Sequence, residues 1–217
     1  MISQLKNSFE KQLEIKLMAQ CGDHEPLLRE MIQYHFGWYC KDCQRGKRLR
    51  PLIHLLSTVA LGADYSKALS SAIALEVFHN FTLVHDDIQD KGEMRQGRPA
   101  MWKKYGVEQT INTGDFLAYT AQAILARPTG FITDIQRIYL LQSFTEAGLD
   151  VMRGQHLDML YENQPSVTVE DYLRMINFKT SRLFSLAFEM AGIINHVDND
   201  IAAKLRAIGT NIGLAFQ

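Results

Sequence analysis

Residues 85–98 read HDDIQDKGEMRQGR, with Asp86, Asp87 and Asp90 inside five positions and Arg95 and Arg98 close behind. The apolar residues before them and the glycine at 92 place these carboxylates at the end of a helix predicted over 66–91. With 3.6 residues per turn, Asp86 and Asp90 fall about 40° apart on one face, with Asp87 beside them. The negative end of the helix dipole lies at the same place, so like-charge repulsion and the dipole both oppose the arrangement unless a cation joins it. Hard oxygen donors without a companion cysteine or histidine suit Mg2+, with Mn2+ as the alternative. His85 lies about 100° round the helix from Asp86 and is left out of the ligand set.

Backward from Asp86 the same wheel carries Thr82, His79 and Leu75, a stripe running from an apolar region to the acidic end. Mg2+ keeps few protein ligands and is often completed by phosphate oxygens, so the expected ligand is a polyphosphate whose apolar body lies along the helix. Cationic residues fit that expectation: RGKRLRP at 45–51 supplies Lys47, Arg48 and Arg50, and Arg95 follows the aspartates. The chain has no G-x-x-x-x-G-K-[ST] loop, which argues against a nucleotide triphosphatase.

The elements that must position these residues read as helices. Prolines at 26, 51, 99, 128 and 165 punctuate segments with 3-and-4 apolar spacing, which predicts an all-α protein with helices near 3–20, 26–37, 48–61, 66–91, 107–127, 131–163, 168–193 and 199–217. Pro26 and Pro51 suit first-turn positions, and Thr168 with Asp171 resembles a capping box. No fixed repeat or compositional linker appears, so residues 1–217 are expected to form one helical domain. A balance of 23 basic and 24 acidic residues, net charge −1, gives no broad field for nucleic acid, which is not an expected partner. No stretch approaches the roughly 20 apolar residues of a membrane span, and the charged N-terminus lacks a signal-peptide core, so a cytoplasmic location is expected. Cys21, Cys40 and Cys43 make an odd count, read as reduced thiols near a loop, although Cys40 and Cys43 form a C-x-x-C.

Taken together, GKRLRP at 46–51, DDIQD at 86–90, RQGRP at 95–99, GQHLD at 154–158, KT at 179–180 and AFQ at 215–217 resemble the trans-isoprenyl diphosphate synthases of the polyprenyl synthetase family. The resemblance runs over nearly the whole chain. It implies an antiparallel helix bundle around a central apolar cavity and head-to-tail condensation of an allylic prenyl diphosphate with isopentenyl diphosphate. It further implies that Asp86, Asp87 and Asp90 bind Mg2+, that Arg95 and Lys179 contact the allylic diphosphate, and that Lys47, Arg50, His79 and the residue at Gln96 serve isopentenyl diphosphate. Gln155, Asp158 and Thr180 match positions near the reacting centre, and a homodimer is implied as well.

By the same resemblance, bulky residues five and eight positions before the first aspartate, here Phe81 and Phe78, stop the growing tail, with Leu75 next along the row and small Thr82 at four before. That pattern is most like geranylgeranyl diphosphate synthases, with farnesyl diphosphate as the second choice. A plain wheel puts Phe81 about 140° from Asp86, which makes Phe78 the better placed. Two departures stand out. Gln96 replaces the second arginine usual after the first motif, and the family continues past AFQ into a second aspartate-rich motif, so a C-terminally incomplete chain is expected. A class I terpene cyclase and a non-catalytic partner subunit stay open as alternatives.

Overall fold

The computed structural model describes residues 2–22, 24–162 and 164–217. Ten α-helices carry the described chain: α1 (Ile2–Met18), α2 (Pro26–Phe36), α3 (Leu49–Ala60), α4 (Leu69–Gln89), α5 (Met101–Tyr105), α6 (Val107–Ala126), α7 (Asp134–Tyr161), α8 (Val169–Ile176), α9 (Arg182–Ile194) and α10 (Asn199–Phe216). The all-α expectation holds. Local chemistry explains the ends: Pro26 opens α2, and Gly37 at φ 75° closes it, with the Gly37 and Trp38 N–H groups donating to Tyr34 O and Gln33 O. Thr133 and Gln136 form a reciprocal capping box on α7, and the Thr168 hydroxyl accepts from Asp171 N at the start of α8 as predicted.

The boundaries differ from the prediction where the backbone does something that apolar spacing does not report. The helix predicted from 66 begins as a 3-10 turn over Tyr65–Ala68, capped by Asp64, before α4 takes over. Met94–Arg95 (β1) and Arg98–Pro99 (β2) form an antiparallel hairpin, Arg95 opposite Arg98. Its two-residue turn puts Gln96 at φ 50° and Gly97 at φ 76°, the left-handed pair of a type I′ turn. Residues 168–193, predicted as one helix, are helical from Val169, after the Thr168 cap, but pass through a π-helical segment, Asn177–Ser181.

The chain divides into two compact units. The first, Met1–Leu49 with Ile73–Ile124, has a core of Phe9, Leu13 and Leu17 from α1, Met31, Ile32 and Phe36 from α2, and Ile73, Leu75 and Val77 from α4. The second, Arg50–Ala72 with Leu125–Gln217, is built on Leu55, Leu140, Phe144, Phe184, Leu186 and Met190. Here α7 and α10 both approach the chain around the π segment closely. A Cβ on Gly154 would lie 2.3 Å from Lys179 N, and one on Gly213 would lie 2.4 Å from Ser181 Cα.

The cysteines correct one expectation. Cys40 and Cys43 are joined in a disulfide, their Cα atoms 5.4 Å apart in the loop after α2, a spacing that a bridge can span; Cys21 is the buried free thiol.

Candidate functional site

In the first unit the acidic cluster sits at the C-terminus of α4. The helix ends in a Schellman turn: Lys91, at φ 53°, is its left-handed residue, and the Lys91 and Gly92 N–H groups donate to Ile88 O and Asp87 O. Gly92 therefore follows the left-handed stop position that sequence reading gave it. Its contribution is closeness instead, since a Cβ there would sit a tight 3.3 Å from Asp87 Oδ1.

The turn and the hairpin return the chain so that Arg95 meets the aspartates. Its Nε donates to Asp87 Oδ2 at 2.6 Å and its Nη2 to Asp87 Oδ1 at 2.7 Å, a two-pronged pair, and Nη2 lies 4.0 Å from Asp86 Oδ2. Asp87 is buried, Asp86 half-buried and Asp90 exposed. Among the described residues no three His, Cys, Asp or Glu side chains are gathered as a metal cluster. Arg95 takes both Asp87 oxygens, and Asp86 and Asp90 supply the other two carboxylates of the cluster, one turn apart on α4; hard oxygen donors of this type suit Mg2+.

Gln96, predicted beside a diphosphate, turns its Oε1 to accept from Arg98 Nη2 at 3.2 Å. Arg98 was not singled out as a site residue, yet it organises this region: buried, it donates to His35 O at 2.8 Å and Gln44 O at 3.0 Å, and its guanidinium lies over the rings of Tyr34 and Tyr39. The loop before GKRLRP is thus tied at both ends. Arg48, one of three basic residues in that motif, is buried at φ 58° and donates to Glu10 and Glu76. Burial by itself would raise the Glu10 carboxyl, but Arg48 and the Trp38 indole hold it below its ordinary value. Arg48 is therefore a structural cation, while Lys47 beside it is exposed.

Along α4, Leu75 is fully buried and Phe78 and Phe81 nearly so, their ring centroids 5.3 Å apart. His79 is half-buried, and its carbonyl accepts from the Thr82 hydroxyl at 2.7 Å.

In the second unit Arg50, at the start of α3, places its guanidinium 4.5 Å from the centre of the Phe184 ring. Lys179 and Thr180 both lie in the π segment, a form of helix that often marks functional positions. Lys179 pairs with Asp158 of α7, joining two of the predicted site residues. Thr180 donates to Gln217 Oε1 at 2.9 Å, so the AFQ motif reaches the KT motif directly. Gln155 Nε2 is buried without a hydrogen bond, a donor still open to a ligand.

These placements can be set beside known proteins. The family model Polyprenyl synthetase matches residues 25–217. A geranylgeranyl diphosphate synthase of Saccharolobus solfataricus is 40% identical over 174 residues, covering 79% of this chain and 52% of its own length. One of Mycobacterium tuberculosis is 37% identical over 221 residues, covering 95% of this chain and 62% of its own. The solved geranylgeranyl pyrophosphate synthetase of Pyrococcus horikoshii superposes with a TM-score of 0.89 at 32% identity, over 100% of this chain and 64% of that one. The chain thus spans between about half and two thirds of the length of these relatives.

Proposed function

The chain belongs to the polyprenyl synthetase family, and from that premise we propose that it serves head-to-tail prenyl elongation, joining isopentenyl diphosphate to an allylic prenyl diphosphate with release of diphosphate. The observation that carries the reading is the acidic end of α4, where the hairpin brings Arg95 back onto the aspartate cluster, bonded twice to Asp87 and 4.0 Å from Asp86. Asp86 and Asp90 would hold Mg2+, which when bound supplies positive charge against the departing diphosphate.

Every other contribution comes from side chains. Arg95 and Lys179 are the cations for the allylic diphosphate, each kept in place by a carboxylate, Asp87 and Asp158 respectively, and so oriented before substrate arrives. Lys47 and Arg50 serve the isopentenyl diphosphate, with His79 as a further donor. Arg50 is held by the Phe184 ring. Gln155, with its unsatisfied amide, and Thr180 orient the reacting groups. Phe78 and Phe81 close the apolar end and limit the product to twenty carbons, with fifteen as the next length. The relatives are geranylgeranyl and farnesyl diphosphate synthases, which supports that range. Homodimerisation and a cytoplasmic location belong to the same proposal; no helix among the described residues is long and apolar enough to cross a membrane.

The test is incubation of the purified protein with labelled isopentenyl diphosphate, Mg2+ and each allylic primer in turn. Labelled, lengthened prenyl diphosphate is expected. A cyclised hydrocarbon formed from one prenyl diphosphate alone would overturn the reading in favour of a terpene cyclase, and activity seen only on adding a catalytic homologue would favour a partner subunit.

A further inference from the structure

We infer that His85 is a positioning residue: seated in the space that Gly114 leaves open, it fixes the Phe81 ring and thereby takes part in setting product length. The inference rests on the elongation reading above for its consequence, and on geometry alone for the seating. On α4, Phe81 and His85 are four residues apart and share a face; their rings meet edge to face with centroids 4.8 Å apart, and Phe81 in turn meets Phe78 at 5.3 Å. The three rings form a row, with the imidazole at the end nearest Asp86.

What holds the imidazole is packing against α6. A Cβ built on Gly114 would lie 2.3 Å from both Cδ2 and Nε2 of His85, so no residue larger than glycine fits there while the ring keeps its place. His85 Nε2 is buried and makes no hydrogen bond, with Asp115 Oδ1 3.4 Å away. A polar ring wedged in this manner between an aromatic and a helix backbone gains its position from shape, and it passes that position to Phe81.

The test pairs two readouts across wild type, Gly114→Ala, His85→Ala and the double variant. The first is the 19F resonance of 4-fluorophenylalanine incorporated at position 81, which needs no activity. Gly114→Ala should expel the imidazole and move the resonance, as should His85→Ala, whereas adding Gly114→Ala to His85→Ala should change nothing further. The second is the product distribution from labelled isopentenyl diphosphate. The share of products longer than the wild-type main product should rise by about fivefold in each single variant, the size of one lost aromatic contact, and no further in the double variant. A Phe81 resonance that ignores both substitutions, or an additive double variant, overturns the seating. A resonance that moves while product lengths stay the same overturns the role in length. Wild-type protein that makes no elongated product counts against the elongation reading and removes the length role with it, and the 19F series still decides the seating.

Discussion

Two histidines are built into the interior without charge, and acid should therefore destabilise this protein well above the carboxylate range. His35 on α2 is fully buried, with its Nε2 sharing a 3.1 Å hydrogen bond with Asn80 Oδ1; Asn80 donates to Glu76, so its oxygen is the acceptor and His35 carries the proton at Nε2. Burial first, then the cations of Arg95, Arg98 and Arg48, push the ring down to about 3, against the favourable Asn80 bond. His54 on α3 donates from Nδ1 to Ala187 O at 2.9 Å and has the Ser71 hydroxyl at Nε2; burial pushes it down to about 4. Both folded values lie below the ordinary 6.5, so the unfolded chain binds more protons as pH falls, and stability is present above 6.5 and lost progressively beneath it. Each histidine contributes about 1.4 kcal/mol per pH unit below that point, giving a combined loss of about 4 kcal/mol by about pH 5, a large share of a stability of about 5–15 kcal/mol. The window stays above the range where the Glu10 carboxyl, held low by Arg48, begins to add its own loss. Urea unfolding followed by circular dichroism from about pH 7.5 to 5 should show the free energy falling with a slope that approaches two protons, and His54→Gln should reduce that slope to one. A flat profile, or a slope unchanged by His54→Gln, would refute the buried-neutral account.

Other expectations follow from single contacts. Asp86→Ala should cut incorporation of labelled isopentenyl diphosphate by orders of magnitude while the melting temperature holds or rises slightly, because the substitution relieves repulsion at a helix C-terminus. Arg48→Met should cost about 3–5 kcal/mol in urea unfolding, since Glu10 and Glu76 would be left without their shared partner. Gly154→Ala should destabilise by about 1–3 kcal/mol, because the atom in the way is the backbone of Lys179; a neutral result by calorimetry would mean the two segments are not in contact. Cys40→Ser should lower stability by no more than about 2 kcal/mol, the entropy of closing so short a loop, with dithiothreitol having no effect on the variant.

The helices were legible because their signals are local: the 3-and-4 spacing, Pro26 at one start, Thr168 and Asp171 at another. The hairpin was not, because its turn uses Gln96 at a left-handed position where asparagine or aspartate would have announced it. The π segment escaped for a different reason, since one wide turn inside a continuous helix leaves the apolar spacing around it nearly unchanged. Arg48 could not be told from Lys47 and Arg50 by type. What separates it is a pair of partners 38 and 28 positions away in sequence, Glu10 and Glu76. The C-x-x-C was visible, but an odd cysteine count argued against a bridge that depends on how the loop brings Cys40 to Cys43.

The acidic cluster shows how far composition and structure each carry the argument. From sequence, three carboxylates at the negative end of a helix require a cation. The structure supplies one from within the chain: the Schellman turn at Lys91 and the tight hairpin after it return Arg95 to Asp87, where two hydrogen bonds fix the pair. One charge is thereby cancelled before any ligand binds, which lets α4 end in three carboxylates and remain folded. The same guanidinium lies 4.0 Å from Asp86, without the paired hydrogen bonds it makes to Asp87. Asp87 therefore differs from its neighbours in kind. Replacing it with asparagine would loosen Arg95, where replacing Asp86 would remove a donor, and the two lesions separate in a Mg2+ titration: Asp86→Asn raises the Mg2+ requirement, and Asp87→Asn raises the KM for the allylic diphosphate. Identical responses to Mg2+ in the two variants would return Asp87 to the ligand set.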